Sequence, residues 1–315
     1  MKTRRKGILK PFAAAAGLGL AMAASSASAA INWGDFTLFE DDDVDFHMDA
    51  QGNLKVDQTI DIGDVLAAVL ELNTANGSAI SPPEELTGLS IIQLVARIDL
   101  DGNGTPDDIF APAALGFDFY ADALGATAPA LSAGGGAGEG AMVAFWVDPA
   151  QDLVIDAGAV VGGTTSCTTY AGCVAQATNG TEWMVTGFTG DPDEGWVVLN
   201  PLQGISTGVI DVANPSQSFG TLNTGQGIIV DGTAVNLAQN ALSCGVLCGP
   251  GGDGFVDVFA SGSVKGGGET FTASDWFATS DFDMTLAREI PVPGTMLLMG
   301  LGLLGMGSMS RRKKA

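Results

Sequence analysis

Between residues 31 and 290 the apolar positions follow no sustained helical period. Short runs of aromatic and β-branched residues recur instead, each closed by Gly, Asp, Asn, Pro or Thr, which is how strands and turns punctuate a chain. Candidate strands fall at 36–39, 90–100, 142–147, 153–155, 182–188, 196–199, 227–230, 255–259 and 282–286. Two of them alternate plainly. Phe255, Asp257 and Phe259 oppose Val256 and Val258, while Phe282, Met284 and Leu286 oppose Asp281, Asp283 and Thr285, so the last strand should pack on one face only. Residues 63–73 depart from the pattern: Asp64 ahead of Val65-Leu66-Ala67-Ala68-Val69-Leu70-Glu71-Leu72 fits either a short capped helix or a strand buried on both faces. Residues 113–124 are the other helical candidate. Glycine runs at 134–140 and 266–268 read as loops, and no repeat of fixed length is visible. The expected fold is all-β, a β-sandwich or jelly-roll-like body with one or two short helices, plus a C-terminal transmembrane helix.

Both ends depart from this texture. Residues 1–30 carry Lys2, Arg4, Arg5, Lys6 and Lys10, then an apolar run from 12 to 24, then small residues to 30. A basic start, an apolar middle and a small-residue finish make a secretory signal peptide, with Ala27-Ser28-Ala29 suited to a cut after Ala29 or one residue later. Thr3-Arg4-Arg5-Lys6 is also similar to a twin-arginine signal, with Gly7 in place of its bulky apolar residue; either route leads out of the cytoplasm. Residues 291–315 run in the reverse order: Pro291-Val292-Pro293-Gly294, an apolar stretch from 295 to 309, then Arg311, Arg312, Lys313 and Lys314. A helix that crosses a bilayer needs ~20 apolar residues, and 292–310 approaches that length. The four basic residues form a membrane stop that stays cytoplasmic and leaves the body outside.

This order of Pro-x-Pro, glycine-rich apolar span and terminal basic cluster resembles the PEP-CTERM sorting signal, with a looser likeness around residues 49–66. Val292 stands where the name-giving motif has Glu. In that family the signal implies recognition by an exosortase in the inner membrane, in bacteria that secrete exopolysaccharide. For this chain the resemblance implies an exosortase-type processing partner and a precursor anchored in the inner membrane through 292–310. It also implies a mature protein at the cell surface or in an extracellular matrix. The expected organisation is a signal peptide at 1–30, an acidic β-rich extracytoplasmic body at 31–290 and the sorting tail at 291–315.

Charge sharpens the picture of the body. All 36 acidic residues lie between 31 and 290, while only Lys55, Arg97, Lys265 and Arg288 of the 13 basic ones do. Such a surface repels nucleic acid and attracts cations, which excludes a DNA- or RNA-binding role. With 46% hydrophobic residues the chain has enough apolar surface to fold. Its four cysteines form two close pairs, Cys167 with Cys173 and Cys244 with Cys248. An oxidising compartment favours disulfides, and flexible flanking residues favour these two local loops among the three possible connectivities. Zinc is the rival, but neither pair has the Cys-x-x-Cys spacing and His47 is the sole histidine.

The segment Asp99-Leu100-Asp101-Gly102-Asn103-Gly104-Thr105-Pro106-Asp107-Asp108 carries the most specific internal chemistry. Oxygen ligands at alternate positions, with glycine at the sixth, match the first half of an EF-hand-type loop. Asp99, Asp101 and Asn103 would converge on Ca2+, Thr105 would give its carbonyl, and Asp107 would bind directly or through water. The twelfth position is Phe110 rather than Glu, so a complete cage would need Asp108 or a distant carboxylate. An Asx-rich turn without metal is the plainer reading. Around Asp49-Ala50-Gln51-Gly52-Asn53 the acids Asp41, Asp42, Asp43 and Asp45 could gather a second cation, though a solvated acidic loop fits better. Residues 252–257 read as a tight turn entering a strand.

No convergent catalytic set is recognisable. His47, between Asp45 and Asp49, reads as part of an exposed charged strand, and no nucleophile elbow or phosphate-cradling loop is present. Two carboxylates could serve glycoside hydrolysis, and one of Trp33, Trp146, Trp183, Trp196 and Trp276 could stack on a sugar, but core packing is the commoner use of tryptophan in β-domains. The expectation is a non-enzymatic surface or exopolysaccharide-matrix protein. A carbohydrate-binding module or glycan-processing enzyme is the alternative.

Overall fold

The computed structural model describes residues 33–55, 60–80, 85–100, 102–113, 140–155, 166–199, 218–233, 235–244, 252–265, 276 and 279–289. The strands are β1 (Phe36–Met48), β2 (Val65–Ala75), β3 (Ser78–Ala79), β4 (Glu85–Ile98), β5 (Asp107–Pro112) and β6 (Ala141–Asp148). A helix, α1 (Tyr170–Ala177), precedes β7 (Thr181–Gly187), β8 (Gly195–Leu199) and β9 (Ser218–Asp231). Then come β10 (Leu242–Ser243), β11 (Phe255–Val256), β12 (Val258–Lys265) and β13 (Thr279–Ala287).

The main sheet has the order β3-β2-β1-β13-β12-β9-β7-β6-β4-β5-β8, and β2 also pairs with β4. That pairing, Val65↔Gln93 through Leu72↔Leu86, bends the sheet round until it meets itself. The result is a closed antiparallel barrel whose ring of eight strands runs β1, β2, β4, β6, β7, β9, β12, β13. The wall is doubled on one side. Both β4 and β9 are 14 residues long. β6 pairs with residues 85–90 of β4 and β5 with residues 92–98. β7 takes residues 227–231 of β9 and β8 takes residues 221–225. Two strand pairs thus sit end to end in the gap between two long strands, and bulges at Leu94/Ala96 and Val185/Thr186 absorb the change of direction.

Alternation gives the barrel two apolar faces. Inward lie Phe39, Leu70, Leu86, Phe145, Met184 and Met284 from the ring, with Phe110 and Trp196 from β5 and β8 in the doubled wall. Phe282, Met284 and Leu286 point inward as their period of two predicts. Gly88 faces Leu70 on one side and Phe145 on the other. A methyl group there would stand 2.9 Å from a carbon of each, so the missing side chain is what admits the Phe145 ring. Outward, Val44, Phe46, Val69, Leu89 and Trp146 form a second cluster. It is covered by α1, which buries Tyr170, Cys173, Val174 and Ala177. The Tyr170 ring stands edge-on to Phe46 at 5.0 Å, and Thr87 Oγ1 donates to the Ala177 carbonyl at 2.6 Å. Thr169 Oγ1 accepts from the Gly172 amide as the N-cap, and a disulfide from Cys173 to Cys167 ties the helix to its approach. Cys244 is also in a disulfide; Cys248 lies outside the described residues.

Several expectations need correction. The body is a barrel rather than a sandwich or jelly roll; alternation is the same in both, and closure depends on a pairing between β2 and β4 that no local signal encodes. Residues 65–75 form the strand buried on both faces, not the helix, because β2 has the barrel interior on one side and α1 on the other. Among the described residues the helix lies at 170–177, which the alanine-rich sequence did not advertise. Residues 255–259 are two strands broken at Asp257, whose carboxylate accepts from the Ile228 amide at 3.0 Å and the Asn240 amide at 2.7 Å. Residues 153–155 pack on the outer cluster without a ladder of their own. The helical candidate at 113–124 lies beyond the described residues except Ala113, and the tail at 291–315 lies wholly beyond them. Among the described residues no helix is long and apolar enough to cross a membrane.

Filling the space over Gly88 should be resisted by the whole interior. Gly88→Val is expected to lower stability by ~1–3 kcal/mol, read as a reduced urea midpoint with an unchanged slope.

Candidate functional site

The expected calcium segment is the turn that joins β4 to β5. Asp99 Oδ1 accepts from the Asn103 amide at 3.1 Å and Oδ2 from the Gly104 amide at 2.9 Å. Asn103 Oδ1 accepts from the Thr105 amide at 2.6 Å, and Asp107 Oδ2 from the Leu100 amide at 2.8 Å. Gly102 and Gly104 hold φ of 73° and 86°, a region that only glycine enters cheaply, so the turn needs both. Asp99, Asn103, Thr105 and Asp107 are therefore gathered in one turn, and Asp101 lies outside the described residues. Phe110, at the twelfth position, is a core side chain. Asp108 does not take its place. It turns to Arg97, whose Nε donates to its Oδ1 at 2.9 Å, while the same guanidinium donates to the Ile60 carbonyl at 2.7 Å. Burial pushes the Asp108 carboxyl up, against the pull of Arg97.

The stretch read as a solvated acidic loop is the second half of β1, and it is buried. Asp41, Asp43, Asp45 and His47 stand opposite Leu72, Leu70, Ala68 and Leu66 of β2. Directly opposed residues share a face, and these four belong to or pack against the interior cluster. Asp43 is fully buried and His47 nearly so. Two local devices accommodate these polar groups. A bulge at Glu40/Asp41 ends the ladder between β1 and β13 after Phe39, and Asp41 Oδ1 then accepts from the Phe282 amide at 2.7 Å. The carboxylate takes the place of a backbone carbonyl. At the far end His47 Nε2 lies 2.8 Å from Asp64 Oδ2, which also receives Lys55 Nζ at 2.7 Å and the Asp61 amide at 2.8 Å. Burial alone would raise the Asp64 carboxyl, but Lys55, the Asp61 amide and His47 together hold it below the usual carboxylate range. Asp49 is closed into a turn by the amides of Gln51 and Asn53, each at 2.9 Å.

A third group was not foreseen. Glu85 and Asp148 are opposed across β4 and β6, and Asp152 follows in the next turn. Burial, then Glu71, Asp148 and Asp152, push the Glu85 carboxyl up to about 8. The Asp148-Pro149-Ala150-Gln151-Asp152 spacing was visible in the sequence, but Glu85 joins it only through the ladder.

An acidic barrel ahead of a proline-flanked apolar tail with a basic end defines an exported protein sorted by its C-terminus. Residues 289–313 match the family described as the PEP-CTERM protein-sorting motif, two residues after β13 ends at Ala287. The motif implies sorting by an exosortase-type enzyme. No curated protein and no solved structure matches this chain.

The Asp64 network sets a pH dependence. Its folded-state pKa lies below the unfolded value of about 3.9, so its contribution is present above that pH and is lost as pH falls through the lower, folded value. Asp64→Asn should reduce stability at pH 7 by about 2 kcal/mol, because Lys55 and His47 lose the carboxylate charge they share. It should also flatten the acid limb of a denaturation series from pH 6 to pH 2.

Proposed function

We propose that this is a non-enzymatic structural protein of the cell surface or exopolysaccharide matrix. Its precursor is held in the inner membrane through 292–310, with Arg311, Arg312, Lys313 and Lys314 as the cytoplasmic stop, until an exosortase-type enzyme acts near Pro291-Val292-Pro293-Gly294. The observation that carries the reading is the sorting motif at 289–313, set directly behind the last strand of the barrel.

The tryptophans support a structural role over a glycan-binding one. Trp146, Trp183, Trp196 and Trp276 are buried, and Trp33 is half-buried against Trp183 at 6.1 Å. Trp196 stacks on Phe282 at 5.5 Å. The four buried indoles present no open face, which a sugar-stacking platform needs. The Asp99–Asp107 turn is read as a weak extracellular-type Ca2+ site, supported by a loop whose glycines and carboxylate-capped amides already hold the required bend.

Two experiments test this reading. Intact mass of the protein recovered from the surface or medium should show loss of residues 1–29 and a C-terminus near Pro293; a mature form retaining Arg311 to Lys314 would make it a plain membrane protein. That mature protein should bind none of the host polysaccharides, and micromolar binding to any of them would overturn the structural role. For the turn, Asp99→Ala with Asp101→Ala should abolish part of the chelator-sensitive shift in Tm, and an unchanged shift would remove calcium from that loop.

A further inference from the structure

On the outer wall of the barrel, beside the end of α1, four carboxyl groups meet. Glu71, Glu85 and Asp148 come from β2, β4 and β6, and Asp152 from the turn after β6. Glu71 is opposite Thr87, and Thr87 is the residue that bonds the last carbonyl of α1, so the group sits at the negative end of the helix dipole. Glu85, Asp148 and Asp152 each bring a carboxylate oxygen within 4.8 Å of the others.

This arrangement is unfavourable as it stands. Like charges directly opposed in an antiparallel ladder repel, and here both Glu85 and Asp148 are buried, with Asp148 only 2% exposed. The donors are few. Asp148 Oδ1 accepts from the Ala150 amide at 2.7 Å, Glu85 Oε2 from the Leu153 amide at 3.4 Å, and Asp152 from Asn179 Nδ2 at 3.1 Å. The second oxygen of Asp148, Oδ2, is buried with no hydrogen-bond partner among the described residues. The cations Lys55 and Arg97 are engaged elsewhere, with Asp61 and Asp64 and with Asp108. A buried carboxylate that keeps one oxygen without a donor and stands among two other acids is the signature of a missing positive charge.

We propose that Glu85, Asp148 and Asp152 bind a divalent cation of the calcium class, pinning the end of β6 and its turn to β4. The donor set is all oxygen, with no histidine or thiol, which suits a hard cation and not zinc. Three carboxylates, each able to bind through one or both oxygens, approach the six to eight ligands that calcium takes, and their irregular spacing suits calcium better than the strict octahedron of magnesium. Glu85 also lines a cleft of about 270 Å³ with Glu71, Asn73, Gln151 and Leu153, which gives water a way to that side of the group. The site is independent of the Asp99 turn and of the reading of the protein as structural.

The test uses the full chain, freed of metal by chelator and titrated with Ca2+ by calorimetry and with Tb3+ by tryptophan-sensitised emission. Trp146 lies two residues before Asp148 on the same strand, so Tb3+ held here should luminesce. Glu85→Gln and Asp152→Asn should each weaken one Ca2+ site at least tenfold and reduce the Tb3+ emission, while Asp99→Ala leaves that site intact. Asp152 is exposed, so its variant guards against a loss of binding that merely reflects misfolding; the circular-dichroism spectrum of both variants should match the parent's. Wild-type stoichiometry and affinity in both variants, or no Ca2+ binding by the parent beyond what Asp99→Ala removes, would overturn the proposal.

Discussion

The pairing of β2 with β4 turns a sheet with two exposed edges into a ring. Without it, residues 65–72 of β2 would have only β1 beside them and an open edge, because β3 reaches no further than Thr74 and Ala75. With it, Leu70 and Leu72 enter the interior while Val65, Ala67 and Val69 lie beneath α1. The same pairing places Glu71 against Thr87 and brings the start of β4 under the end of the helix. Closure therefore governs the filling of the interior, the seat of α1 and the position of the outer carboxyl group alike. It also determines what the interior tolerates: a ring of this size is filled by side chains, and Gly88 is one of the places where the filling leaves no room.

A chain this rich in acids must find uses for carboxylates away from water, and the recurring use is to complete the backbone. Asp41 accepts from Phe282 where β1 parts from β13, Asp257 from Ile228 and Asn240 where β11 gives way to β12, and Glu71 from the Ile155 amide at 2.6 Å. Asp193 accepts from Gly254 at 2.8 Å across a packed turn. Each bond occupies an amide that the ladder has abandoned, as a buried donor requires. The acids thus take part in the architecture where strands part or end, rather than forming only a soluble coat.

Much of this was legible in the sequence, and the limits are physical. Period-two alternation identified β13 and its inward face, and glycine at 102 and 104 marked the turn between β4 and β5. Alternation is local, however, and cannot tell a sandwich from a barrel, because the distinction lies in which strands meet. Charge also misled at 40–48: the run of aspartates read as a solvated acidic loop, yet the bulge at Glu40/Asp41 and the pairing with β2 turn Asp41, Asp43 and Asp45 inward. The group at Glu85 was invisible for the same reason, since its members are brought together by the ladder between β4 and β6. The tail differed in kind, because its message is a linear order of proline, apolar and basic residues that needs no fold to be read.

The first and last strands are neighbours, with Phe36 opposite Ala287 and the Arg288 amide donating to the Asp35 carbonyl at 2.9 Å. Whatever precedes Asp35 and whatever follows Arg288 must leave from one rim of the barrel. If the precursor is held at both ends as proposed, the wall can close with no strand having to be threaded past a fixed end. On the proposed anchoring, the β1–β13 seam would be where the body hangs. Any pull along the tail is delivered first to the short ladder from Phe36 to Phe39, the place where the barrel would unzip.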